Sequence, residues 1–248
     1  MSVLRRHWIA TIILCLFIGL GVLYSTATPV FEASDELNHY PFVQTLAEGH
    51  GLPVQRPGQE TLWGQEGSQP PLYYALAAIS TAWIDTGDLA QLLDLNPHAE
   101  RGVPLAPDNK NMVLHAERER FPWQGTVLAV HLIRIISVLL AAGTVLCTYR
   151  LALDLFPKQS SIALTAMAIN AFLPMYLFIS ASVNNDTLVV LLSSVALVMQ
   201  IRLLQRGASL FTLVALGSVI GLACLSKLSA LGLIPLAGLT LALRFVTS

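Results

Sequence analysis

The chain has 248 residues, of which 54% are hydrophobic and only 12% charged. A soluble domain carries about a quarter charged residues, so this composition leaves too little polar surface to wet a globule. The net charge of −1 excludes nucleic acid as a partner, because that needs a basic stripe. Cys15, Cys147 and Cys224 all fall inside apolar runs, so no disulfide framework is read from them. An all-α membrane protein remains.

The first candidate span follows the basic pair Arg5 and Arg6 and runs from Trp8 to Ala27. It is read as a retained transmembrane helix, since it is longer than a usual signal core. The rival is a signal peptide cleaved near Ser25, Thr26 and Ala27. Further runs of about the crossing length are expected at 127–149, 162–180, 188–204, 210–226 and 228–242, about six spans in all. Residues 72–83 are apolar but too short to cross, and are read as an interfacial or re-entrant helix.

Charge tests this count independently. With the N-terminus inside, the inner flanks carry Arg5, Arg6, Arg150, Lys158, Arg202, Arg206 and Arg244. Thirteen of the fifteen acidic residues lie between positions 28 and 126. The organisation expected is therefore a cytoplasmic tip and first helix (1–27), a large extracytoplasmic loop (28–126), and five more helices (127–248). Loops this long are uncommon unless functional or disordered, and this one has no low-complexity run.

Within the loop, Ser34 is placed as an N-cap, with Asp35 and Glu36 in the first turn of a helix continuing through Leu37, Tyr40, Val43 and Ala47. His39 lies four residues after Asp35 on the same face. Two accounts stand level: a capped helix lying on the membrane, or a carboxylate pair with an imidazole for proton abstraction or divalent-metal binding. For Tyr73, Tyr74 and Trp83 the accounts are anchoring at headgroup level or stacking against a sugar ring. His98 and His115 make no metal-ligand spacing and receive no role.

In the spans, Arg134 either snorkels outward or holds a phosphate near the outer surface. Asn184, Asn185, Asp186 and Thr187 form an outer turn, with a glycosylation pattern at Asn185. Asp186 and Lys227 either mark their turns or join a phosphate or metal site facing Asp35.

Ser34-Asp35-Glu36 with His39 is followed by Gln69-Pro70-Pro71-Leu72-Tyr73-Tyr74, His131 to Arg134, Asn184-Asn185-Asp186, and Leu225-Ser226-Lys227. This ordered series resembles the GT-C membrane glycosyltransferases, in particular the protein mannosyltransferase and aminoarabinose transferase branch (glycosyltransferase family 39-like). The resemblance implies a GT-C-like fold and inverting transfer from a polyprenyl-phosphate-linked sugar to a hydroxyl-bearing acceptor, be it protein, lipid or polysaccharide. By the same resemblance Asp35 is the base, while Glu36, His39, Gln69, Tyr73, Tyr74, Arg134, Asn185, Asp186 and Lys227 bind substrate or shape the site.

A divalent ion is left open, with Asp35, His39 and Asp186 as candidate ligands. The implied location is a multi-pass protein of a prokaryotic plasma membrane, with its active face extracytoplasmic. Relatives usually continue through further spans, so the expectation is a fragment or a shortened member. The alternative is a non-catalytic scaffold or carrier-lipid binder with the same fold. A transporter fits less well, because the polar residues crowd one face and no paired halves are apparent.

Overall fold

The computed structural model describes residues 7–33, 35–99, 110–207 and 209–247. Ser34, expected to cap the second helix, lies outside the described residues. The chain is built of helices: among the described residues the only β pairing is an isolated bridge between Leu95 and Val113.

Helix α1 (Trp8–Ala27) is uniformly apolar and stops just before Pro29, as helices do ahead of a residue that cannot continue them. The loop that follows carries α2 (Glu36–Ala47), a 3₁₀ turn (Gly64–Ser68), α3 (Leu72–Thr81) and the single turn α4 (Leu89–Leu92). Another 3₁₀ turn (Glu117–Glu119) leads into α5 (Gly125–Leu155), the longest element at 31 residues. Its start is fixed from a distance. Gly125 takes a φ of 53°, and Asp88 Oδ1 accepts hydrogen bonds from the Thr126 backbone N–H (2.9 Å) and hydroxyl (2.6 Å). A carboxylate satisfying exposed N–H groups at a helix N-terminus also meets the positive end of the dipole.

The expected span at 162–180 is two helices, α6 (Ser160–Ala171) and α7 (Pro174–Ser180), bent by 62°. Pro174 is the cause. It has no N–H to continue α6, and it forces Leu173 into the extended region (φ −69°, ψ 115°). Helix α8 (Asp186–Arg206) ends at Gly207, whose φ of 91° few other residues tolerate. Helix α9 (Leu210–Ser226) is capped by Ser209, and after an extended Lys227 and a 3₁₀ turn (Leu228–Gly232) comes α10 (Leu233–Thr247).

Among the described residues, four stretches are long and apolar enough to cross a bilayer: α1, α5, α8 and 228–246. The bent pair α6–α7 makes a fifth if it is one span. The sixth expected span, α9, has 17 residues. It therefore reaches about 26 Å, slightly less than a hydrocarbon core of about 30 Å.

Packing divides into three cores. The lower half of α5 packs with α1, α6 and α7 around Phe17, Val145 and Met167. Helices α8, α9 and α10 meet around Ala196, Ala223 and Leu216. The upper end of α5 carries the loop helices on Phe31, Tyr40, Phe42, Tyr74 and Ile133. Small residues let the long helices approach: a Cβ on Gly21 would lie 2.7 Å from Val138, and one on Gly143 2.8 Å from Leu191. Polar ties also join the spans, among them the Thr240 hydroxyl donating to Gln200 Oε1 at 2.9 Å and Asn170 Nδ2 donating to the Thr148 hydroxyl at 2.9 Å.

Candidate active site between the first loop and the Asn185 turn

Glu36 and Arg134, 98 positions apart, form the centre on which this region is assembled. Both are fully buried. Arg134 Nε donates to Glu36 Oε1 at 2.8 Å and Nη2 to Oε2 at 2.5 Å. The remaining Arg134 bonds go to the carbonyls of Ser25 (2.9 Å), Thr28 (2.7 Å) and Pro29 (2.9 Å), at the end of α1. A guanidinium has five N–H groups, and all five are satisfied here. Arg134 therefore neither snorkels nor holds a phosphate. It is a buried structural cation, well placed at the negative end of the α1 dipole. Glu36 in turn accepts from the backbone N–H of Phe31 (3.0 Å) and of Val183 (2.8 Å). One carboxylate thus joins the loop after α1, the start of α2, the middle of α5 and the turn before α8.

This junction sets the neighbours of Glu36. Asp35 precedes it as the N-cap of α2, exposed, with a left-handed backbone (φ 56°). Phe31 is also left-handed (φ 66°) although bulky and fully buried. Such conformations cost of order 1 kcal/mol and persist where surrounding contacts impose them. Asp35 takes the capping position assigned to Ser34, and its carbonyl accepts from the N–H groups of Asn38 and His39, both at 2.9 Å.

His39, one turn on, is buried beside Glu66 and Tyr74. Its Nδ1 lies 2.7 Å from the Tyr74 hydroxyl and 3.7 Å from Glu66 Oε2. Burial pulls the imidazole pKa below its ordinary 6.5, with Lys227 acting the same way and Glu66, Asp35 and Asp186 opposing. Burial, reinforced by Glu66, raises the Tyr74 phenol. We therefore assign the proton to the phenol, with Tyr74 O–H donating to Nδ1 of a neutral His39.

The other wall comes from the turn ahead of α8. Asn185, fully buried, donates through Nδ2 to Gln69 Oε1 (3.3 Å) and to the Ser226 carbonyl (3.0 Å). Its Oδ1 is buried without a hydrogen-bond partner. Asp186 Oδ1 accepts from Lys227 Nζ at 2.6 Å, and both side chains are partly exposed. Asp35, His39, Gln69, Asn185, Asp186 and Lys227 are thus brought together at one end of the spans.

Several expectations are corrected by this geometry. Tyr73 and Tyr74 are core residues, not headgroup anchors or sugar platforms. The Tyr73 hydroxyl is 2.9 Å from Ser137 Oγ, and the Tyr74 ring is covered by Phe42 at a centroid distance of 3.9 Å. Trp83, by contrast, is 71% exposed, as an interfacial anchor would be. Asn185 is too buried to be a glycosylation acceptor. Among the described residues no group of three or more His, Cys, Asp or Glu side chains is arranged to hold a metal. A divalent ion at Asp35, His39 and Asp186, left open by the sequence, carries no step of the reaction proposed below.

Two residues went unnoticed in the sequence. Glu66 had no motif around it, yet it is buried against His39. Glu32 accepts from the backbone N–H groups of Met112 (2.7 Å) and Val113 (3.1 Å) and sits 2.9 Å from His115 Nε2. His115, given no role, faces Glu119 at 2.8 Å through its other nitrogen. This pair of carboxylates ties the return of the loop to its beginning.

The helices and their apolar spans define an all-α membrane protein, with a cluster of acids and one ammonium at one end of those spans. Residues 129–246, just under half of the chain, are similar to the family model described as dolichyl-phosphate-mannose-protein mannosyltransferase. No curated protein and no solved structure matches the chain. The matched stretch contains Arg134, Asn185, Asp186 and Lys227, whereas Asp35, Glu36 and His39 precede it.

Proposed function

We propose that the protein is a polyprenyl-phosphate-sugar-dependent glycosyltransferase working at the outer membrane surface, with its N-terminus cytoplasmic. The observation that supports this reading is that the charges of Asp35 and of the Asp186–Lys227 pair, the latter in the family-matched stretch, all bear on His39. In the proposed reaction the acceptor hydroxyl attacks the anomeric carbon as the bond to the phosphate oxygen breaks. Its proton passes to Asp35, and the polyprenyl phosphate leaves with the electron pair and inverted stereochemistry in the product. A carboxylate is a weak base for a hydroxyl, so proton transfer accompanies departure of the phosphate. The Lys227 ammonium, which has three donors and gives one to Asp186, is the cation suited to that negative charge.

The test is transfer from a labelled polyprenyl-phosphate sugar by membranes carrying the chain or its Asp35→Asn variant. Loss of transfer in the variant supports the assignment, and undiminished transfer removes Asp35 from the role. Binding of polyprenyl phosphate without any transfer by the unaltered chain would instead identify a carrier-lipid binder.

A further inference from the structure

At the far end of α5 from Asp35 lies a second polar site, which the proposed reaction does not use. His7, the N-cap of α1, stands with its Nδ1 2.8 Å from the Tyr149 hydroxyl, the rings meeting edge to face. Beside them a cavity of about 360 Å³ is lined by Arg150, Lys158 and Ser160 together with Leu153 and Pro157. Arg150 lies sixteen residues beyond Arg134 on one helix, which places it about 24 Å away along the axis.

The charge balance of this cavity is one-sided. Arg150, Lys158 and His7 line it, and among the described residues no carboxylate does. The nearest acid along the helix is Asp154, one turn after Arg150. It is drawn off by α8, where Arg202 Nε donates to Asp154 Oδ2 at 2.6 Å and Gln205 donates to its carbonyl at 2.7 Å. Hydroxyls of Tyr149 and Ser160 add donors, while Leu153 and Pro157 give the cavity an apolar wall. A guanidinium, an ammonium and hydroxyls converging beside an apolar wall at the end of spans suit phosphate oxygens carried on an acyl chain.

We propose that this cavity binds the phosphate of an anionic phospholipid headgroup on the membrane face opposite Asp35. Arg150 and Lys158 carry the charge, the Tyr149 and Ser160 hydroxyls donate to the phosphate oxygens, and Leu153 and Pro157 border the glycerol. The site anchors the junction of α1, α5 and α6 to one leaflet, independently of whether the opposite face transfers sugar.

The experiment uses the full chain in detergent, titrated with phosphatidylglycerol and with phosphatidylcholine while intrinsic fluorescence or intact-complex mass is followed. Arg150→Gln is compared with Arg206→Gln, which removes one exposed charge from the end of α8, outside the cavity. The expected result is about tenfold weaker phosphatidylglycerol binding for Arg150→Gln, little change for Arg206→Gln, and weak phosphatidylcholine binding throughout. Displacement of phosphatidylglycerol by millimolar inorganic phosphate would support the phosphate chemistry and name the free ion as a second source. Equal weakening by both variants, or equal binding of both lipids, would overturn the proposal, because either is what general surface charge or hydrophobicity alone would give.

Discussion

Asp35 sits where few side chains do. The left-handed region is tolerated by Asn and Asp far better than by other residues with a Cβ. Asp35→Asn therefore removes the negative charge while keeping the backbone geometry. Transfer should fall about a hundredfold or more, with an unchanged melting temperature, measured by labelled-sugar turnover and thermal unfolding of the same preparation. Asp35→Ala should fall as far and also lose about 1 kcal/mol of stability. Arg134→Met alone strands the Glu36 carboxylate in the interior and should cost about 3–5 kcal/mol, read as a loss of folded protein on heating in detergent. Pairing it with Glu36→Gln should return part of that loss. Burial sets the sign for His39. Its pKa is lower folded than unfolded, so the unfolded chain takes up the proton first as pH falls. Stability tied to this ring is intact above about pH 6.5 and declines below it. Melting curves from pH 7.5 to 5 should show a shallower decline in His39→Gln.

How much of this was legible differs from residue to residue. An arginine inside an apolar run is visible as an anomaly in the letters, but its partner is 98 positions away, so no local pattern could say that all its donors are taken. Asp35 and His39 were marked by their spacing on one helix. Glu66 was not, because its importance comes from burial beside His39, which only the packing of the 3₁₀ turn against α2 creates. Tyr73 and Tyr74 look like interfacial anchors in sequence, and only the cover supplied by Phe42 and Ser137 makes them core.

Among the elements, the spans were the most readable part, since twenty apolar residues in succession admit few other outcomes. Their ends were less so. Helix α5 runs six residues past the expected 149 and starts two earlier than 127, because Asp88 caps it from another element. The α6–α7 break follows from Pro174, a signal present in the sequence that hydropathy alone passes over. The close approach of α1 to α5 yields a further expectation. Gly21→Val would set a branched side chain against the stiff Val138, which stands 2.7 Å from where a Cβ would be. Overpacking of this kind costs about 1–3 kcal/mol, so the variant should melt earlier in detergent. Gly217→Ala, where nothing lies within 4 Å, should not.

For the molecule as a whole, the acid-rich loop lies at one end of the spans and Arg150, Lys158, Arg202 and Arg206 at the other, which is the basis of the orientation proposed above. Trypsin added to intact cells should cut at exposed Arg120 and spare Lys158, and inverted vesicles should show the reverse. Cleavage at Lys158 in intact cells would reverse the assignment of faces.

The guanidinium that grips three carbonyls at the end of α1 also holds the residue next to Asp35. The lean of the first helix in its lipid is therefore mechanically geared to the position of the carboxylate proposed as the base. Thicker or thinner bilayers change such lean at a modest energetic cost. Reconstitution in lipids of graded acyl length should accordingly give turnover that peaks at one thickness, and Arg134→Met should blunt that peak by slipping the gear.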